Sequence, residues 1–408
     1  MRTITEDWAN RLRMAALACL IGMGSSVTAQ AQATIGLYEQ ARFTLGTSST
    51  NSYGTNPASV AWSGGKLYVA GQNGSGATAN SGIVEILNTS ATGIVTGSQS
   101  AAFGVISTPS TRGYTGVYLK GGYLGATFDG GSNTATAVQG FNASTNSAVW
   151  NLSASGTTTT NVGLSRGMAR IGYDPGYNGD AAQGSGFSWI NQGSGRRPTN
   201  RIDTGVPEYL LAGSAPANPN APLGYIFNNG AGSTNWRAFS FDPNTGDFYG
   251  ITNNQVVKAI RSGTNEITSG TTPVIVAQTS ANSVVTNIAF LDGITAQGIN
   301  PYSGNALIFN NRSSTANGQS WTNVIKITTT SGSTITPTWS FLSTPSTSNG
   351  AYDFSWDTST ETLAVMDYAN RTVSIFAVPE PSTTALAGIC AVGVASLTLR
   401  GRRRGGNS

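Results

Sequence analysis

The sequence predicts an all-β fold, an irregular β-propeller of six blades or seven, and three observations carry that expectation. Gly, Ser, Thr and Asn dominate, while only 10% of the 408 residues are charged. That composition suits short strands and many turns. No amphipathic helical run lies between residues 40 and 378, where helical periodicity would otherwise be visible. Third, a unit recurs: a strand, a tight Gly, Asn or Asp turn, a second strand, and often a third after a loop. The eight Trp and the many Tyr, Phe, Val and Ile argue for a packed core rather than disorder.

The units read in order along the chain. The first runs over 59–70, turning at Gly64-Gly65, and adds 82–87. The second runs over 115–128, turning at Gly121-Gly122, and adds 136–141. A weaker third covers 168–176 and 186–190. The fourth spans 236–251 and adds 255–260. In its turn Asp242 caps with its side chain, Pro243 presets φ, and Gly246 accepts φ > 0. This hairpin is expected to join two middle strands of a blade, with the later Val/Ile segment outside them. A fifth unit is read at 295–309 and 324–327, and a sixth at 352–366 and 372–377. The anchors Trp62, Tyr118, Tyr173, Phe241, Ile299 and Trp356 are separated by 55 to 68 residues. A period of that size with several strands per unit points to radial blades. The texture is similar to six-bladed propellers in general, without a WD dipeptide or a kelch double glycine. A β-sandwich or jelly roll built from unrelated hairpins is the alternative.

Both ends of the chain differ from this body. Arg2, Arg11 and Arg13 precede an apolar stretch over 14–24, followed by Ala29-Gln30-Ala31-Gln32-Ala33. These are the three regions of a secretory signal peptide, with cleavage expected after Ala31 or Ala33. Its partner would be the Sec translocon. The apolar region before Cys19 is too short for a lipoprotein site. At the other end Val378-Pro379-Glu380-Pro381-Ser382 leads into an uncharged, mostly apolar run to Leu399, then Arg400, Arg402, Arg403 and Arg404. From Ser382 to Leu399 a helix would extend about 27 Å, just enough for a hydrocarbon core of about 30 Å. Pro379 and Pro381 keep the approach extended. The arginines hold the end on the cytoplasmic face.

The order of motif, span and basic tail resembles the PEP-CTERM sorting signal of bacterial exported proteins. The match is residue for residue at Pro379, Glu380 and Pro381 and covers about 30 residues. The resemblance implies a partner, the membrane cysteine protease exosortase, which reads the motif and removes the tail. It implies nothing about the body, because family members share only the tail. The expected organisation is therefore a signal peptide over 1–33, an all-β body over 34–377 and a sorting signal over 378–408. The body passes through an inner-membrane intermediate to the cell surface or the extracellular space.

Composition excludes several functions. Set aside the three arginines of residues 1–33, the four of 400–404, and Glu6, Asp7 and Glu380. The body then carries 15 basic and 15 acidic residues. A neutral body has no electrostatic reason to bind nucleic acid. Arg196, Arg197 and Arg201 read as a solvated loop. Histidine is absent, and the two cysteines, Cys19 and Cys390, fall in the targeting segments. Thiol and histidine catalysis and Cys or His metal sites are thereby ruled out in the body, and no cofactor is expected.

Three weaker chemical readings remain. Asp174, Asn178 and Asp180 supply oxygen ligands on one loop for Ca²⁺, although turn duty explains the same residue types. Asp353, Asp357, Glu361 and Asp367 are the densest carboxylates. Asp353 and Asp357 share a strand face and would form a glycosidase pair, against which stands strand-end duty. Trp189 and Trp236 on inter-blade loops would stack on sugars, if core packing does not claim them. Two functions follow: a non-enzymatic surface or matrix protein binding a glycan or protein, or a secreted carbohydrate-active enzyme using two carboxylates.

Overall fold

The computed structural model describes residues 33–46, 56–72, 81–87, 93–95, 100–106, 112–130, 137–153, 168–180, 185–191, 199–201, 225–227, 236–252, 254–261, 274–280, 283–296, 300–313, 320–347 and 350–378. Glycine pairs set the first turns. Gly64 and Gly65 both take positive φ, as do Gly121 and Gly122, the requirement of the tight turn whose twist matches a hairpin. Elsewhere carboxylates build the turns. Asp242 Oδ1 accepts the Asn244 N–H at 2.9 Å, and Asp357 Oδ1 accepts the Ser359 N–H at 3.0 Å.

These hairpins extend into four-stranded antiparallel units. Strand β1 (Thr34–Leu45) opens the described chain. Blade 1 contains β2 (Asn56–Ser63), β3 (Lys66–Gln72), β4 (Ser81–Ile86) and, after the short β5 (Gly93–Val95), β6 (Ser100–Ile106). Blade 2 is β7 (Gly113–Lys120), β8 (Tyr123–Asp129), β9 (Ala137–Asn142) and β10 (Ser147–Ser153). Blade 3 is β11 (Met168–Asp174), β12 (Gly186–Asn191), β13 (Thr199–Arg201) and β14 (Tyr225–Phe227). Blade 4 is β15 (Trp236–Phe241), β16 (Phe248–Thr252), β17 (Gln255–Ala259) and β18 (Val274–Gln278). After β19 (Ser283–Val284), blade 5 takes β20 (Ile288–Ile294), β21 (Gly304–Asn310), β23 (Ile325–Thr329) and β24 (Thr334–Ser340). The pair of β19, β22 (Arg312–Ser313), stands apart from it. Blade 6 is β25 (Tyr352–Asp357), β26 (Thr362–Asp367), β27 (Thr372–Ala377) and β1.

The first strands, β2, β7, β11, β15, β20 and β25, contact one another in turn around a closed ring, with β25 returning to β2. That is a β-propeller, and the described strands form six blades. Its closing strand comes from the far end of the chain. β1 pairs antiparallel with β27 from Tyr38↔Ala377 to Thr44↔Thr372. It also runs parallel to β24 at Thr34–Tyr38 and to the short β5 at Phe43–Leu45, so one strand ties blade 6 to blade 5 and holds β5.

Most strands of the blades are buried on both faces along their described residues, because each blade is sandwiched between two others. On β3, Leu67 and Val69 face the blade 6 side with Phe43 and Met366, while Tyr68 and Ala70 face blade 2 with Tyr114 and Leu124. All six residues of β26 are buried. Apolar runs therefore replace the alternation of a half-exposed strand. A one-turn helix, α1 (Trp321–Val324), sets Trp321 between blades 5 and 6, its ring 4.8 Å from Trp339 and 5.5 Å from Phe376. Gly125 permits the approach of blades 2 and 3: a Cβ there would lie 2.5 Å from the Phe187 ring.

Two expectations about the units need correction. The hairpin at Asp242–Gly246 joins the innermost and second strands of its blade, not two middle strands. The inner strand of blade 5 is Ile288–Ile294, not the segment around Ile299. Ile288 and Phe290 fill the seam to blade 4 with Ala238 and Tyr249, and Ala289 and Leu291 between them are also buried, while Pro301 cannot donate to a ladder.

Candidate functional site

The inner strands of all six blades line one axial cavity of about 140 Å³. Because these strands are equivalent, each blade places the start of its strand at one end of the cavity and the finish at the other. The two ends differ in chemistry.

The end at the strand starts is filled by a buried polar network. Asp353 Oδ2 accepts from Ser59 Oγ at 2.6 Å and the Val60 N–H at 2.7 Å, and the Arg170 guanidinium lies 3.1 Å away. Its Oδ1 accepts from Asn287 Nδ2 and from the Phe354 N–H. Ser59 Oγ in turn accepts the Val117 N–H at 3.1 Å, and Arg170 also donates to the Ala58 carbonyl at 3.2 Å. Four blades contribute the side chains. Each is satisfied, as buried polar groups must be.

The same strand seals blade 6 to blade 1. Asp353, Ser355 and Asp357 alternate along β25, so all three point to one side. They accept the N–H groups of Val60, Trp62 and Gly64 at 2.7, 2.8 and 2.7 Å. Side chains thus replace a backbone ladder where the ring closes.

At the strand finishes the cavity is aromatic and polar. Tyr118 and Lys120 come from blade 2, Tyr173 from blade 3, Phe241 from blade 4, Asp292 from blade 5 and Trp356 from blade 6. The Trp356 indole donates to the Asp292 carbonyl at 2.9 Å, and Thr358 Oγ1 donates to Asp292 Oδ1 at 2.5 Å. The Lys120 ammonium stands 5.6 Å above the Tyr173 ring. Tyr118 keeps 38% of its surface, yet that surface opens into the cavity. Desolvation pushes its phenol up to about 12, with further upward pressure from Asp292 and Tyr173. Burial also raises Tyr173, against a lowering hydrogen bond from Ser185. Both hydroxyls stay protonated at neutral pH and are available as donors.

Asp353 is too far from both Asp357 and Asp292 to form a glycosidase pair with either. Asp353 and Asp357 are four residues apart on one strand, about 13 Å at ~3.3 Å per residue. Thr358, which holds Asp292, is five residues from Asp353, which places Asp292 and Asp353 roughly 15 Å apart along the axis. Glycosidase pairs need about 5–9.5 Å. Asp353 and Asp357 are moreover buried and engaged, so β25 uses them for strand-end and seam duty.

The oxygen-rich loop also has a structural task. Asp174 is wholly buried, pairs with the buried Arg261 guanidinium and accepts the Gly176 N–H at 2.8 Å. The Asn178 N–H donates to the Thr245 carbonyl at 3.1 Å, so this loop locks blade 3 to blade 4. Asp180 is exposed. Among the described residues no group of three His, Cys, Asp or Glu side chains converges as metal ligands.

Trp189 corrects the sugar-stacking expectation. It is fully buried against Ile171 and Phe187 and presents no face to solvent. The side chain of Trp236 lies outside the described residues, as do Arg196 and Arg197, the backbone of Ala31, the sorting motif Pro379-Glu380-Pro381 and the arginines at 400–404. Among the described residues no helix is long and apolar enough to cross a membrane. Lys120, Arg170, Asn287 and Asp292 were not singled out from sequence. The signal that would have found this end of the cavity was the repeat itself, since the anchors Tyr118, Tyr173, Phe241 and Trp356 all line it.

No family model matches this chain, and no curated protein matches it. Solved structures do resemble it. A chain of the mitotic checkpoint complex aligns with a TM-score of 0.47 at 10% identity, covering 87% of this chain and 98% of its own. A gluconolactonase from Xanthomonas campestris aligns at 0.44 and 8% identity, covering 79% and 86%. An auxiliary nutrient binding protein from Bacteroides ovatus aligns at 0.46 and 13% identity, covering 80% and 70%. The propeller assignment rests on the closed ring of four-stranded blades in this chain.

Proposed function

We propose that this is an exported cell-surface or extracellular-matrix protein, sorted through its PEP-CTERM tail, whose propeller binds a glycan or a protein without cleaving it. One observation carries the binding half: the axial cavity offers aromatic faces, hydroxyls and Asp292 at its finishing end, while its other lining carboxylate, Asp353, is engaged in the polar network at the opposite end. Export is supported by the boundaries of the ring. Its closing strand starts at Thr34, directly after the expected cleavage site, and its last described hydrogen bond joins the Val378 N–H to the Glu361 carbonyl. The first described strand of the ring begins at Thr34, so cleavage after Ala31 or Ala33 would fall before it.

Two measurements test the reading. The purified protein is presented to a panel of bacterial extracellular polysaccharides and scored for retention and for new reducing ends or unsaturated products. Retention without products is expected, and sustained cleavage would replace the reading with a secreted carbohydrate-active enzyme. For sorting, intact mass and fractionation are compared for wild type and Glu380→Ala in a host carrying exosortase. The variant is expected to keep residues 382–408 and stay in the membrane, while wild type loses them. Equal retention in both would leave a plain membrane tether.

A further inference from the structure

We propose that the finishing end of the axial channel binds one uncharged pyranose ring, presented as the terminal residue of a glycan. The proposal rests on the glycan half of the function proposed above and names the site and the ligand class.

Three polar groups at this end are unspent among the described residues. Thr358 occupies Oδ1 of Asp292 and leaves Oδ2 open. Lys120 stands over the Tyr173 ring without a carboxylate within ion-pair distance, and no described side chain or backbone group bonds the Tyr118 hydroxyl. In a ring of six blades, blade 2 stands opposite blade 5 and blade 3 opposite blade 6. Tyr118 and Lys120 therefore face Asp292 across the axis, and Tyr173 faces Trp356. Two aromatic walls and two polar walls alternate around one space. A pyranose has that pattern: apolar C–H faces for the rings and hydroxyls at its edges that donate to a carboxylate and accept from an ammonium.

Charge and size narrow the class. Lys120 and Asp292 carry opposite charges without pairing with each other, so a charged ligand of either sign would meet one like charge. A neutral ring meets none. The cavity of about 140 Å³ is smaller than the roughly 300 Å³ at which ordinary ligand pockets begin, which suits one ring rather than an oligosaccharide. The Asp353, Arg170 and Asn287 network fills the opposite end, so the ligand inserts end-on.

The test uses the full protein and the fluorescence of Trp356 in the cavity wall. The probes are the methyl glycosides of glucose, galactose and mannose, with methyl glucuronide and glucosamine as charged counterparts. At least one neutral glycoside is expected to saturate, with the charged counterparts weaker. Asp292→Asn keeps the acceptor for Thr358 and should weaken binding roughly ten- to a hundredfold, the loss expected for a hydrogen bond to a charged group. Tyr118→Phe should weaken it about fivefold. Circular dichroism confirms the fold of each variant. Lys120→Gln, at an exposed position, serves if the others fail to fold, and should also weaken binding. If the protein retains polysaccharide while all variants bind as wild type, this site is wrong and the glycan reading stands. Preference for the charged sugars would overturn the neutral class. If wild type binds no glycan of any kind, both readings fall.

Discussion

Removing the Asp353 carboxylate should open the seam that closes the ring. Asp353→Ala strips the acceptor from the Val60 N–H and Ser59 Oγ, and leaves Arg170 and Asn287 without their carboxylate. A buried donor left without an acceptor costs about 1–3 kcal/mol, and breaking one side of a buried pair about 3–5 kcal/mol. The losses share partners and do not add, so the expected cost is about 4 kcal/mol. Asp357→Ala removes the acceptor of the partly buried Gly64 N–H and a turn cap, about 2 kcal/mol. Ser355→Ala removes one acceptor from the Trp62 N–H, about 1 kcal/mol. Urea unfolding followed by tryptophan fluorescence reads the shift in midpoint at constant slope. The reasoning predicts the order Asp353, Asp357, Ser355. An Asp353→Ala loss no larger than that of Ser355→Ala would refute the view that these side chains act as the missing ladder.

Two further outcomes follow from the same geometry. Gly246→Ala forces a side chain onto a residue at φ 76° and sets its Cβ 2.3 Å from the Gly176 carbonyl oxygen. It should cost about 3 kcal/mol, against about 1 kcal/mol for Gly64→Ala, which strains the same backbone region in open space. Equal midpoints in urea would contradict the lock between blades 3 and 4. In alkali, the phenols of Tyr68 and Tyr118 titrate near 12 in the folded ring, through desolvation first and then the charges of Glu85 or Asp292, and burial also raises Tyr114. The unfolded chain loses these protons near pH 10. Stability is therefore full below about pH 10 and falls as pH rises towards 12. Tyrosinate absorbance should lag for these residues until the ring unfolds. A single step for all fourteen tyrosines near pH 10, with the ring still folded, would count against that burial.

Local chemistry made much of the architecture legible from residues alone. Gly64-Gly65, Gly121-Gly122 and Asp242-Pro-Asn-Thr-Gly246 dictate hairpins because they decide φ within a few residues. The recurrence of those hairpins at similar spacing implies blades, and the absence of histidine and of body cysteines removes whole classes of chemistry. Tertiary structure decided what depends on partners far away in sequence. β1 completes blade 6 with strands more than 300 residues distant, and no local pattern in Thr34–Leu45 names that partner. Asp353 and Asp357 carry the alternation of any exposed pair, yet they belong to a seam because β2 presents unpaired N–H groups beside them. Trp189 reads as a loop aromatic until blade 2 covers it. Asp292 and Lys120 face one another only because the ring closes with six blades. A strand buried on both faces carries a pattern of apolar residues and does not record which neighbour covers each face.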